Sequence, residues 1–407
     1  MICGLLGRKL GHSYSPQIHG YLGNYNYDLF EKEPEEIPSF LKREDVTGLN
    51  VTIPYKKEII PYLDHLTDRA RKIGAVNTVV RQSNGSLIGH NTDYFGFLSM
   101  LTRTGLQVAE KKVLVLGSGG ASATVTTVLE ELGATTIVIS RSGLNNYDNL
   151  HLHADASVIV NTTPVGMYPN TGISPADLSQ FPQLEGVLDV VYNPARTKLL
   201  LDAERRGLVT ENGLWMLVAQ AKESAEWFTG AKIPDSKIAE IHRILQHQME
   251  NLILIGMPGC GKSTVGKLLA QVTGKTFYDA DAQIVSMSEM GISEIFEKEG
   301  EAGFRCWETA ALAQLCNRSG LVIATGGGCV TRQENYDLLH QNGKIVWLQR
   351  DLDLLPTDGR PLSQAGKLSD MYQVREPLYR SFADYIVGNH QRPEDTVNTI
   401  LGLEERL

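Results

Sequence analysis

Cysteine is scarce and scattered. The five residues (Cys3, Cys260, Cys306, Cys316, Cys329) form no CxxC pair and share no zinc-like spacing with histidine, which argues against a disulfide framework or a structural zinc site and predicts a reducing, cytoplasmic setting. Long apolar runs are missing as well: none approaches the ~20 residues that a bilayer-crossing helix needs. The opening MICGLLGRKLGHS is unlike a secretory signal, because Gly4 and Gly7 and then Arg8 and Lys9 break its short apolar stretch. There is no low-complexity segment and no HExxH. Positive charge is in deficit, with 38 Lys+Arg against 47 Asp+Glu and a formal net charge of −9. Nucleic acid and membrane are therefore not expected as partners, and basic groups are expected only in local pockets for small anions.

What is present is a chain of 407 residues, 42% hydrophobic and 21% charged, long enough for at least two cores. Two apolar, β-branched runs end in glycine-rich turns: KKVLVLGSGGASATVTTVLEELG from Lys111 and NLILIGMPGCGKSTVGKLLAQVTG from Asn251. Each reads as strand, tight turn and helix, the opening of a nucleotide-binding α/β unit. The turns differ in pattern, so two nucleotide sites are expected rather than a repeat. Further strands at TTIVIS, ASVIVNTT and GVLDVVYN continue a parallel sheet after the first turn. From Asp235, DSKIAEIHRILQHQM places Ile238, Ile241, Ile244, Leu245 and Met249 on one helical face, and no Gly/Ser/Pro linker separates this helix from the strand at Leu252.

In the first turn, Gly117, Ser118, Gly119, Gly120 and Ala121 can turn their amides toward a pyrophosphate, and Ser122 is small enough for close helix packing. After the next strand, Ser140-Arg141 stands where an acidic residue would hold a ribose hydroxyl; an arginine there suits a 2′-phosphate and favours NADP over NAD. The preceding 100 or so residues set polar groups into apolar motifs: Ser13 and Ser15 in GHSYSPQIHG, Asn50, Thr52 and Lys56 in GLNVTIPYKK, Asn77 in GAVNTV, and Asn91, Thr92 and Asp93 in GHNTDYFGF. Together with DVVYNPARTKLL from Asp189 and GLWMLVAQA from Gly213, these motifs resemble the shikimate dehydrogenase family across residues 1 to 230. The resemblance implies Ser13, Ser15, Asn50, Thr52, Asn77, Asp93 and Gln220 as substrate ligands and Lys56 and Asp93 as the catalytic pair. It implies Tyr192 and Gly213 beside the NADP turn. Trp215 departs from the family pattern in a stretch expected to border the nicotinamide.

The second turn is a complete P-loop, with Gly259, Cys260, Gly261, Lys262, Ser263 and Thr264 following Gly256. Its amides cradle phosphates, Lys262 reaches the transferring group, and Ser263 ligates Mg²⁺. Cys260, beside a helix N-terminus and Lys262, reads either as a reactive thiol or as an inert small residue filling the loop. Downstream lie Asp279 and Asp281 in TFYDADAQI, Glu301, Arg305 and Glu308 in GEAGFRCWE, Gly326, Gly327 and Gly328 in ATGGG, Arg360 in DGRPL and Arg375 in REPLY. In this order they resemble shikimate kinase from Asn251 to about Val387. The resemblance implies that Arg305 and Arg375 hold a shikimate carboxylate and that Asp281 and the three glycines hold its hydroxyls. Asp281 would act as base, Asp279 would organise Mg²⁺ through water, and Arg360 would belong to a lid closing over the phosphate. Leu354, Leu355 and Pro356 stand where the family often has one more arginine.

The expected architecture is α/β: a substrate lobe (1–100), a Rossmann-type NADP domain (101–234), a terminal helix of the dehydrogenase (235–250) and a P-loop domain resembling nucleoside monophosphate kinases (251–407). The expected activity is bifunctional, NADPH reduction of 3-dehydroshikimate followed by ATP phosphorylation of shikimate, with NADP(H), ATP and Mg²⁺ as cofactors and small molecules as partners. A homodimer is compatible with it. The alternative is a quinate/shikimate dehydrogenase whose P-loop half only binds nucleotide.

Overall fold

The computed structural model describes residues 1–11, 13–355 and 365–404. The apolar runs become sixteen strands among the described residues, in three sheets. The first sheet holds β1 (Ile2–Gly7), β2 (Asn26–Glu31), β3 (Val46–Val51), β4 (His65–Leu66), β5 (Thr78–Arg81) and β6 (Leu87–His90) in the order β2-β1-β3-β5-β6-β4. Here β5 runs antiparallel to both neighbours. Leu6, Val51, Tyr55, Ile59 and Val76 form its core.

The second sheet is β11-β10-β9-β7-β8, built from β7 (Lys112–Leu116), β8 (Thr135–Ile139), β9 (Val158–Asn161), β10 (Gly186–Asp189) and β11 (Val209–Glu211). All its pairings are parallel. Central strands of such a sheet are covered on both faces, which is why β7 and β9 read as unbroken apolar runs and are buried almost throughout.

The third sheet, β13-β14-β12-β15-β16, is also parallel: β12 (Asn251–Ile255), β13 (Thr276–Asp279), β14 (Leu321–Ala324), β15 (Gly343–Gln349) and β16 (Tyr385–Gly388). All five residues of β12 are buried.

The chain divides into two compact units: Met1–Gly166 with Ile173–Tyr192 and Asp202–Leu245, and Met167–Gly172 with Asn193–Leu201 and Gln246–Leu407. Within the helix Ser236–Met249, Ile238, Ile241, Leu245 and Met249 are buried. Ile244, expected on the same face, is only half-buried, and His242 occupies the inner position instead. A single residue, Glu250, lies between this helix and β12. No helix among the described residues is long and apolar enough to cross a membrane.

Candidate active sites

In the first unit, Lys56 sits in the turn after β3 and Asp93 opens the helix Asp93–Thr104. The Lys56 ammonium lies 2.6 Å from Asp93 Oδ2, with side-chain exposures of 20% and 9%. The helix N-terminus favours a carboxylate at Asp93, and the carboxylate in turn holds the ammonium. A Cβ added at Gly120 would stand 3.6 Å from Lys56 Cδ. The lysine of the first sheet therefore borders the glycine turn of the second.

Beneath this pair runs a buried polar network. Asn77 Oδ1 accepts from the Thr92 amide at 2.7 Å, and Asn77 Nδ2 donates to Thr92 Oγ1 at 3.0 Å. Asn50 Nδ2 donates to Ser224 Oγ at 2.8 Å, and Asn50 Oδ1 accepts from the Tyr27 hydroxyl at 2.8 Å. Ser224 also lies 2.9 Å from both Thr78 Oγ1 and Thr92 Oγ1. Gln220, one turn earlier on the same helix, comes within 3.5 Å of Asn77. Ser13 Oγ accepts from the Ser15 amide at the start of the helix Ser15–Leu22. Thr52 follows β3, where its amide donates to Leu6 O. Ser224, Thr78 and Tyr27 were not singled out in the sequence. The available signal was the i,i+4 pair Gln220 and Ser224 on one face of the helix Leu214–Thr229.

The glycine turn is shaped for close approach. Gly117 has φ +107, and a Cβ there would meet Thr162 Oγ1 at 2.8 Å. The helix Gly120–Glu131 starts without a side-chain cap or an acidic residue, which leaves its first amides to an anion. Nothing stands within 4 Å of a Cβ placed at Gly119. Ser118 is exposed beside it, and Ala121 is half-buried. Ser140 and exposed Arg141 follow β8, the strand paired to β7, so they leave the sheet at the same edge as the turn. Tyr192 packs edge-on against Tyr14 at 6.3 Å. Gly213 tolerates no side chain, since a Cβ would fall 2.0 Å from Val190 O.

Trp215 packs among side chains of its own unit. Its indole Nε1 donates to Ser99 Oγ at 2.8 Å, its ring faces His242 at 5.3 Å, and the Arg103 guanidinium lies over it at 4.6 Å. The amphipathic helix Ser236–Met249 offers the large ring a place to bury.

In the second unit a cavity of about 730 Å³ joins the P-loop to the downstream motifs. Gly256, Gly259 and Gly261 hold φ of +141, +85 and +99, conformations that side chains resist. They lead into the helix Lys262–Thr273, with Thr264 lining the cavity in its first turn. Lys262 Nζ donates to Gly256 O at 2.8 Å and Met257 O at 3.0 Å. Ser263 Oγ donates to Asp279 Oδ2 at 2.7 Å, and Asp279 Oδ1 accepts from the Asp281 amide at 3.0 Å. Two oxygen side chains thus meet at the loop, a donor set suited to Mg²⁺. Cys260 is fully buried, with Sγ 3.9 Å from Lys262 Nζ. Of the two readings of this cysteine, burial supports the inert one, a thiol packed within the loop and out of reach of an alkylating reagent. Arg360 lies outside the described residues.

At the other end, Arg305 donates to Glu308 Oε2 at 2.8 Å and to Glu301 Oε1 at 3.0 Å. Burial works to lower the guanidinium pKa, yet the two carboxylates hold it above its ordinary value. Glu308 is fully buried, and burial pushes its carboxyl up against the opposing pull of Arg305. Arg375 Nη1 donates to Gly327 O at 3.1 Å, and the Tyr379 hydroxyl donates to the same carbonyl. The three glycines are needed for close approach: Cβ atoms would stand 2.4 Å from Glu308 Oε1 at Gly326, 2.6 Å from Pro258 at Gly327 and 2.2 Å from the Arg305 guanidinium at Gly328. Gly328→Ala should therefore push Arg305 out of place. The expected result is a KM for the phosphate acceptor raised by about tenfold or more, measured by kinase kinetics, with nucleotide KM little changed.

A family model for the shikimate dehydrogenase substrate binding domain matches residues 5–79. The NADP(+)-dependent shikimate dehydrogenase of Clostridium perfringens strain 13 is 37% identical over 265 residues, 60% of this chain and 97% of that protein. The chain belongs to the shikimate dehydrogenase family. Its dehydrogenase half superposes on shikimate dehydrogenase 1 of Peptoclostridium difficile, with 38% identity, 60% and 97% of the two chains covered and a TM-score of 0.56. A chorismate mutase/shikimate 5-dehydrogenase fusion from Clostridium acetobutylicum matches at 37% identity, 60% and 97% coverage and a TM-score of 0.58. The shikimate kinase family model matches residues 258–403, so the dehydrogenase is fused to a shikimate kinase domain.

Proposed function

We propose that the chain performs two consecutive steps, reduction of 3-dehydroshikimate to shikimate with NADPH and phosphorylation of shikimate to its 3-phosphate with ATP. The observation that carries this reading is the Lys56–Asp93 pair beside Gly120, in a chain whose second unit holds a P-loop and two acceptor-side arginines around one cavity. The product of the first chemistry is the acceptor of the second. When bound, NADPH supplies the hydride and MgATP the phosphoryl group.

In the dehydrogenase half, the carbonyl oxygen of the substrate would gain negative charge on hydride transfer, and Lys56 would hold and protonate it. Asp93 keeps the ammonium in position. Asn77, Gln220, Asn50 and Thr52, with Ser13 and Ser15, would orient the ring hydroxyls and carboxylate, the first three stiffened by the Ser224 network. Arg141 would take the 2′-phosphate. In the kinase half, Arg305 and Arg375 would grip the shikimate carboxylate, and Asp281 would accept the proton of the 3-hydroxyl. Lys262 would leave its loop carbonyls to neutralise charge on the transferring group.

The test is to incubate the protein with 3-dehydroshikimate, NADPH, ATP and Mg²⁺ and identify products by mass. Shikimate 3-phosphate is expected from the full mixture and shikimate when ATP is omitted. Appearance of neither would sink the proposal.

A further inference from the structure

The basic groups around the second-unit cavity are not equivalent. Lys262 is tied to carbonyls of its own loop, Arg305 to Glu301 and Glu308, and Arg375 to Gly327 O. Arg350, which follows β15 directly and lines the same cavity, is different. No carboxylate among the described residues pairs with it, and its Nε is sealed from solvent without an acceptor. Its neighbour Asp351 points instead toward His390 at 3.3 Å.

The position of Arg350 is set by the sheet. β15 pairs with β12, the strand that feeds the P-loop, so its C-terminal end delivers Arg350 next to the loop. Arg350 Nη1 would stand 4.0 Å from a Cβ at Gly261, the residue that caps the helix Lys262–Thr273. Asn389 fixes the loop from the same side by donating to Cys260 O at 2.6 Å. An uncompensated guanidinium and an uncapped helix N-terminus therefore bear on one point. A polyvalent anion is the ligand that satisfies both, and a planar fork suits phosphate oxygens.

We infer that Arg350 binds the phosphate chain of the nucleotide in the kinase half, as a cation held by the end of a central strand. This rests on the kinase reading for the identity of the reaction, though not for the binding itself. The acceptor-side arginines lie at the glycine turn 326–328 and would be left unaffected.

The experiment is calorimetric titration of the full-length protein and its R350Q and R350K variants with MgADP and, separately, adenosine, alongside thermal melts. R350Q is expected to weaken MgADP by about tenfold or more, with adenosine binding and the KM for the phosphate acceptor unchanged. R350K should recover part of the loss, which a packing defect would not allow. A change in MgADP affinity below about twofold, or an equal loss for MgADP and adenosine, would overturn the inference. So would failure of R350K to recover any binding despite a wild-type melt. A wild-type protein that binds MgADP through Arg350 but makes no shikimate 3-phosphate would overturn the functional proposal and uphold this one.

Discussion

Lys56→Ala is expected to lower dehydrogenase kcat/KM by a factor on the order of 10²–10⁴, the range for a lost proton donor or oxyanion partner, while kinase turnover is unchanged. The ammonium is needed most when charge develops on the substrate oxygen, so the loss should fall on kcat. The variant also leaves Asp93, only 9% exposed at the side chain, without its partner. Arginine should rescue poorly, because the Lys56 stem passes close to Gly120 and a bulkier head has little room. Steady-state kinetics with NADPH and 3-dehydroshikimate decide the matter. A variant impaired only through a raised KM would assign Lys56 to ground-state binding instead.

Asp281→Asn is expected to produce the mirror image, a fall in kinase turnover on the order of 10²–10⁴ with the dehydrogenase intact. Asp281 is in the first turn of the helix Ala280–Ser288, where its amide is capped by Asp279; asparagine preserves that backbone contact and removes only the base. Release of ADP in the presence of shikimate gives the measurement. Retention of a third or more of wild-type turnover would mean that Asp281 orients the acceptor without taking its proton. Asp279 is a poorer probe, since its carboxylate bonds Ser263 and caps the helix at once.

Much of this arrangement could be read without coordinates because it is local. The P-loop glycines, Gly117 and the triplet Gly326 to Gly328 all mark places where backbone conformation or close approach excludes a side chain. The buried strands β7, β9 and β12 announce themselves as apolar runs. Trp215 shows the limit. Its packing was decided by His242 and Arg103, residues that no local pattern connects to it. Cys260 shows another: a thiol beside a lysine and a helix N-terminus reads equally as reactive or inert until burial is known.

The amino-acid order alone determined that the apolar runs of β7, β8, β9, β10 and β12 become strands, where the two glycine-rich turns fall and which residue types could serve each chemistry, because period, glycine placement and motif spacing act over a few residues. Only the tertiary structure decided that Ser224 anchors Asn50 and Thr92, that Glu308 is buried against Arg305, and that Arg350 arrives beside Gly261. Those contacts join residues brought together by strand order and helix packing. Their energy depends on burial and on partners distant in the chain, and neither is written into any short stretch of it.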